Sequence, residues 1–237
     1  MIPLLGISTL NQIDGFERLI NSINYPVDIV SVVVNSTYEY FEEVRRLSKS
    51  DFVNKFEIAF CPQNLGFGPS VNYHIKSYPS KDYWVFVQDD VIIGNNDLPQ
   101  IQDLIQSYDG VFCDQNAEYI FFALNRNMIK KVGFFDENYY PSNYEDNDYR
   151  DRISISDVKV CHFNSSCLHN QEPLNHEKGG STGKEIQKIF PEKFRELEKC
   201  YSLNGEYYFN KRQRLSLDNV NDYLYDIDER SKKEFRI

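Results

Sequence analysis

Four short apolar segments, Pro3–Thr9, Ile29–Asn35, Phe56–Cys61 and Trp84–Ile93, constrain this chain more than any other feature. Each is short, apolar and rich in β-branched or aromatic residues, the pattern of a strand buried on both faces. The stretches between them have helical spacing. Asp14 can cap a helix carrying Phe16, Leu19, Ile20 and Ile23; Tyr40, Phe41, Val44 and Leu47 share one side of Tyr38–Leu47; Pro69–Tyr78 follows Gly66 and Gly68 and begins with proline, a common helix start. Strands alternating with helices predict an α/β fold with a mostly parallel central sheet flanked by helices.

After Ile93 the rhythm changes. Gly94–Asp97 reads as a turn, Leu98–Tyr108 as a helix, Gly110–Cys113 and Tyr119–Asn125 as strands, and Met128–Val132 as a short helix. An aromatic and acidic stretch, Phe134–Asp146, precedes a strand at Val158–Phe163, a polar glycine-rich loop at Asn175–Lys184 and a helix at Pro191–Cys200. With 41% hydrophobic residues in 237, one sizeable domain over residues 1–212 is expected, followed by a polar appendage over 213–237.

Charge and cysteine content narrow the function. Lys and Arg number 26 against 36 Asp and Glu, so the chain has no electrostatic reason to bind nucleic acid. A phosphate-bearing substrate would need a metal ion or a local basic cluster to offset the formal charge of -10. No apolar run approaches the roughly 18 residues of a transmembrane segment. Five cysteines with no CxxC pair do not make a disulfide framework, and Met1–Leu5 has neither a basic segment nor a cleavage site. A cytoplasmic location is expected.

Three motifs carry chemistry. Gln88-Asp89-Asp90 closes an apolar strand, and ligands of open α/β sheets bind at that end. Adjacent carboxylates there suit a hard divalent cation such as Mn²⁺ or Mg²⁺, although a solvated turn would read the same. Asn64-Leu65-Gly66-Phe67-Gly68 leads from a strand into a helix, where glycines permit close backbone approach and the helix start favours anions; a plain strand-to-helix turn has the same pattern. Glu145–Arg152 packs four acids and two arginines into eight residues, a setting that raises a carboxylate pKa toward that of a general base, or merely a self-paired helix start. Gly179–Glu185 fails as a phosphate loop and reads as a mobile loop. None of His74, His162, His169 and His176 stands in a metal-binding spacing.

Taken together, Thr9-x-Asn11 after the first strand, Val33–Ser36, Asn64–Gly68 with Asn72, Gln88–Asp90, and Phe134–Glu137 through Arg152 resemble the nucleotide-sugar-dependent glycosyltransferases of family 2. Tyr207-Tyr208-x-x-Lys211 is similar to a pattern of the rhamnosyltransferase-like members. The resemblance covers about residues 1–212. It implies a GT-A-type nucleotide-diphospho-sugar transferase fold and an inverting, metal-dependent transfer from a UDP-, dTDP- or GDP-sugar to a glycan hydroxyl. It assigns donor contacts to Thr9, Asn11, Asn35, Asn64, Gly66, Asn72, Gln88 and Asp89. Asp90 becomes a ligand for Mn²⁺ or Mg²⁺, with His169 as a metal or diphosphate contact and His162 as the alternative. The general base falls on the Glu145–Asp146 pair, Asp146 being favoured. Gln88 stands where the family has its first Asp, and Asn35 where it has an acidic residue. A non-catalytic carbohydrate- or Ca²⁺-binding module is the alternative from another class, distinguished by failure to release nucleoside diphosphate.

Overall fold

The computed structural model describes residues 1–113, 118–169, 172–173 and 191–213. The chain runs β1 (Leu5–Thr9), α1 (Ile13–Ser22), β2 (Val27–Asn35), α2 (Tyr38–Leu47), β3 (Val53–Cys61), α3 (Phe67–Ser77), β4 (Tyr83–Gln88) and β5 (Val91–Ile92). It continues with α4 (Asp97–Leu104), β6 (Gly110–Cys113), β7 (Phe121–Asn125), α5 (Arg126–Val132), α6 (Glu145–Ile155), β8 (Val160–Phe163), β9 (Leu168–His169), β10 (Glu172–Pro173) and α7 (Pro191–Gln213).

Seven strands form one sheet in the order β3-β2-β1-β4-β7-β6-β8. β3, β2, β1 and β4 are mutually parallel, β7 runs against both β4 and β6, and β8 is parallel to β6. The period of two along each strand feeds two separate cores. Leu5 and Ile7 of β1, Val85 and Val87 of β4, and Phe121 and Ala123 of β7 point to one face, with Phe16 and Leu19 of α1 and Val44 of α2. Trp84, Phe86, Phe122 and Leu124 point to the other, with Val71 and Ile75 of α3, Met128 of α5 and Tyr149 of α6. Two covered faces explain why β2 and β4 read as continuous apolar runs. Within the sheet, β3 lies at one end and exposes Asn54 and Lys55.

Three departures from the sequence reading have physical causes. The expected strand Trp84–Ile93 breaks at Asp89-Asp90, whose turn hands β5 to a second sheet of order β10-β9-β5. α1 is capped at Gln12, and Asp14 lies in its first turn. The helix expected over Pro191–Cys200 continues to Gln213. Asn204 and Gly205, residues that often stop a helix, serve packing here instead. Asn204 Nδ2 donates to the carbonyls of Tyr140 (3.2 Å), Ser142 (2.9 Å) and Asn143 (3.4 Å), and a Cβ on Gly205 would lie 3.1 Å from the Tyr144 hydroxyl. Residues 175–184 and 214–237, which include the expected loop and nearly all of the appendage, lie outside the described residues. None of the five cysteines forms a disulfide, and no described helix is long and apolar enough to cross a membrane.

Candidate active site

β1 lies between β2 and β4, so the strand order reverses beside it, and a cavity of about 280 Å³ opens at the carboxyl ends of these strands. Thr9, Asn35, Asn64, Gly66, Gln88, Asp89, Asp90 and Glu145 all line it. Both acidic motifs therefore reach one cavity, although a whole sheet edge separates them in the chain. Asn11, Asn72, Asp146 and His169 do not line it.

The rim from β1 is braced internally. The Thr9 hydroxyl is hydrogen-bonded to that of Tyr40, which also accepts from the Gln12 amide at 3.0 Å. Asn11 adopts a left-handed backbone (φ 55°), which asparagine tolerates, and its side chain accepts from Ser36 Oγ. Asn35 is 4% exposed and buckles β2 to α3: its Nδ2 donates to Ser70 Oγ at 3.2 Å, and its Oδ1 accepts from the Leu65 amide at 3.1 Å. An aspartate here could not donate to Ser70.

The glycine turn before α3 receives the protein's own chain. Gly66 has φ 87°, and a Cβ there would lie 2.4 Å from the Pro141 carbonyl, which accepts from the Phe67 amide at 3.1 Å. Asn64 Oδ1 closes the turn on the Gly66 amide at 2.9 Å. Asn72, 1% exposed, extends the same junction: it donates to the Phe135 carbonyl at 2.8 Å and to Glu137 at 2.9 Å, and accepts from the Phe135 amide at 2.9 Å. The Asn64–Asn72 segment thus anchors the stretch that delivers α6 to the cavity.

The break after β4 positions the acidic pair. Asp89 accepts from the Leu10 amide at 3.3 Å and bonds the Thr9 hydroxyl; burial and then the charge of Asp90 push its carboxyl up to about 7. Asp90 is 7% exposed, and His169 Nε2 lies 3.2 Å from its Oδ2. Strand register explains that meeting, because Val91, next to Asp90, pairs with His169 in the β5–β9 ladder. His162 lies elsewhere, with Nε2 2.7 Å from Glu118 Oε1 and its ring 6.0 Å from that of Phe112.

At the start of α6, Glu145 is 6% exposed, and its Oε2 has no hydrogen-bond partner among the described residues. Burial and then the neighbouring Asp146 push its carboxyl up to about 8. Asp146 lines an adjoining hollow and accepts from the Asn147 amide at 2.8 Å. The other acids of this motif are structural. Arg152, fully buried, pairs with Asp148 through Nε at 2.9 Å and donates to the carbonyls of Val132 and Phe134 at 2.6 and 2.9 Å. From α7, Lys211 Nζ lies 2.7 Å from both Asp136 and Asp148, and the Tyr207 hydroxyl donates to Asp136 at 3.0 Å. The Tyr207–Lys211 pattern is a clamp between α7 and the loop that precedes α6.

One participant carries no local sequence signal: Tyr40, an apolar position of an amphipathic helix in the sequence, is defined by its partners Thr9 and Gln12. His74 is 1% exposed and lies against Gly6, where a Cβ would meet its ring at 2.8 Å; burial pushes it down to about 3.

Among the described residues, three carboxyl groups and no lysine or arginine line the cavity. Among the described residues, no group of three or more His, Cys, Asp and Glu comes together as a metal cage. The Asp90–His169 pair still fits a divalent cation that takes its remaining ligands from substrate and water, since carboxylate and imidazole both suit Mn²⁺.

No protein-family profile matches the sequence. A 73-residue segment is 51% identical to a galactofuranosyl glycosyltransferase of Leishmania donovani, covering 30% of this chain and 17% of that one. The chain thus spans about a sixth of that curated relative. The fold is similar to that of the mannosyltransferase PcManGT from Pyrobaculum calidifontis in complex with GDP-Man and Mn²⁺: TM-score 0.59, 11% identity, 98% of this chain and 76% of that one. It is likewise similar to S. aureus TarS 1-349 in complex with UDP-GlcNAc (TM-score 0.56, 14% identity, 98% and 73%). A third neighbour, glucosyl-3-phosphoglycerate synthase from Mycobacterium tuberculosis with Mn²⁺ and UDP, has TM-score 0.50 and 16% identity over 73% of each chain. The chain has the GT-A fold of nucleotide-diphospho-sugar transferases.

Proposed function

We propose that this chain is a metal-dependent, inverting glycosyltransferase that moves a sugar from a nucleoside diphosphate sugar to a hydroxyl of a glycan or glycoconjugate. One observation carries the reading: Asp90, held beside His169, and the buried Glu145 carboxyl face the same cavity at the switch point of a GT-A sheet. The complexes of the structural neighbours with GDP-Man, UDP-GlcNAc and Mn²⁺ support it. UDP-, dTDP- and GDP-sugars are the candidate donors.

Each part of the cavity has a task. Asp90 and His169 would hold a divalent cation, Mn²⁺ or Mg²⁺, whose charge offsets that of the leaving diphosphate. Thr9, Asn64, Gly66, Gln88 and Asp89 form the donor rim, while Asn11, Asn35 and Asn72 fix its shape. Glu145 takes the proton of the acceptor hydroxyl as that oxygen attacks the anomeric carbon. The new carbon–oxygen bond forms as the bond to the diphosphate breaks, and the electron pair leaves with the diphosphate. Attack from the side opposite the leaving group inverts the centre, by the logic of inverting glycosidases. Asp146, favoured from sequence, is the neighbour whose charge raises the Glu145 pKa. Five cysteines without a disulfide suit a reducing compartment such as the cytoplasm.

The test is release of nucleoside diphosphate from a panel of UDP-, dTDP- and GDP-sugars with Mn²⁺. Release that depends on Mn²⁺ and is lost in Asp90→Ala supports the reading. Sugar binding with no release from any donor would leave a non-catalytic binding module.

A further inference from the structure

Beside the donor cavity lies a second hollow, of about 230 Å³, walled by Ser142–Asn147 and by Tyr201 of α7. Ser142 and Glu145 line both spaces, so the two adjoin at Glu145. The Glu145 Oε2 is buried and has no hydrogen-bond partner among the described residues, a cost that a ligand hydroxyl would remove. Resting on the glycosyltransferase reading, we propose that this hollow receives the acceptor as a single uncharged sugar ring, stacked on Tyr201 with one hydroxyl directed at Glu145.

Shape and charge point to that ligand, and Tyr201 offers one stacking face for one ring. Tyr201 is 52% exposed, and its ring centroid lies 5.1 Å from that of Tyr144 at 46°, so the two rings make an angled wall. A tyrosine presents an apolar face with a polar tip, matching a sugar's C–H face and its hydroxyl edge. The wall is fixed rather than adaptable, because Asn204 on α7 holds the Ser142 and Asn143 carbonyls. Asp146 stands in the hollow and, among the described residues, no lysine or arginine joins its walls, so a uronate or sugar phosphate would meet like charge.

The experiment uses the full chain, Mn²⁺ and whichever nucleotide sugar the release assay selects. Methyl glycosides of neutral hexoses and 6-deoxyhexoses are compared with the matching methyl uronates and hexose 6-phosphates as acceptors. Neutral glycosides should be used at least tenfold more efficiently than the anionic ones. Tyr201→Ala should raise the acceptor KM by roughly tenfold and move the donor KM less than twofold, and Tyr201→Trp should restore the acceptor KM. Turnover with an unchanged acceptor KM in Tyr201→Ala, or equal use of anionic acceptors, would overturn the proposal and leave the glycosyltransferase reading intact. No diphosphate release from any donor would remove both. Because Tyr201 is half-exposed, its substitution should leave the fold in place, which circular dichroism verifies.

Discussion

Replacing Lys211 by Met tests how α7 is fastened to the site. The ammonium group serves two carboxylates at 2.7 Å each, and the side chains of Asp136 and Asp148 are 6% and 0% exposed. Deleting one partner of a buried pair costs about 3–5 kcal/mol when the remaining charge is left bare. Neither acid is left bare here. Asp148 keeps Arg152 at 2.9 Å, and Asp136 keeps the Tyr207 hydroxyl at 3.0 Å and the Asn138 amide at 2.9 Å. The lysine itself is 18% exposed, so part of its charge is already hydrated. The expected loss is therefore roughly 2–3 kcal/mol, below the full penalty. Met keeps the aliphatic stem, which isolates the charge. Trp84, the single tryptophan and 2% exposed, reports urea unfolding by fluorescence. Acid provides a second arm. Burial raises the Asp136 pKa, but the charge and hydrogen bond of Lys211 outweigh it and hold the carboxyl below its ordinary value. Such a group stabilises the fold above its unfolded pKa, near 4, and the contribution is lost as pH falls through the folded value. The variant lacks that contribution, so its deficit should shrink as pH drops below about 4. A deficit under about 0.5 kcal/mol at neutral pH, or one that ignores acidification, would mean that apolar contacts alone dock α7.

Gly66→Ala should lower stability by roughly 2 kcal/mol or more, since its φ of 87° and the Pro141 carbonyl 2.4 Å from the new Cβ oppose any side chain; an unchanged thermal midpoint would show that the turn relaxes freely. Asp90→Ala should abolish Mn²⁺-dependent binding of UDP or GDP in calorimetry, and equal affinity would take Asp90 out of the metal site. Glu145→Gln should lower kcat by roughly 10²–10⁴-fold with donor affinity retained, and more than Asp146→Asn does; the reverse order would move the proton acceptor to Asp146. With its carboxyl protonated up to about 8, Glu145 should make kcat/KM rise with pH toward that value. For the same reason, wild type should lose stability relative to Glu145→Gln as pH climbs from about 4.3 to 8, because the folded state holds the proton more tightly than the unfolded chain.

Strand composition made the central sheet legible. β2 and β4 are apolar along their length because both faces are covered, and α2 matched its expected bounds, Tyr38–Leu47, because Thr37 caps it through the Tyr40 amide. What stayed hidden was set by contacts distant in sequence. Nothing near His169 announces that β9 pairs with β5, and the two-residue strands involved are too short to carry a period. Asn35 and Asn72 read as ligand contacts from their place in a pattern, yet their amides span protein groups on both sides, which needs the third dimension to see. Glu145 and Asp146 are adjacent and chemically alike. Only the direction of the helix start separates the one that reaches the cavity from the one that lines the hollow alone.

The sheet ends at β3, and that end has a colloidal consequence. A strand at an open edge offers backbone donors and acceptors to any passing chain and so templates aggregation. In β3, Lys55 and Glu57 form an ion pair whose side chains are 63% and 37% exposed. A foreign strand settling there would have to strip water from both charges. Resistance to strand addition is thereby written into the outermost rung itself, and it should persist in salt strong enough to screen the protein's overall negative charge.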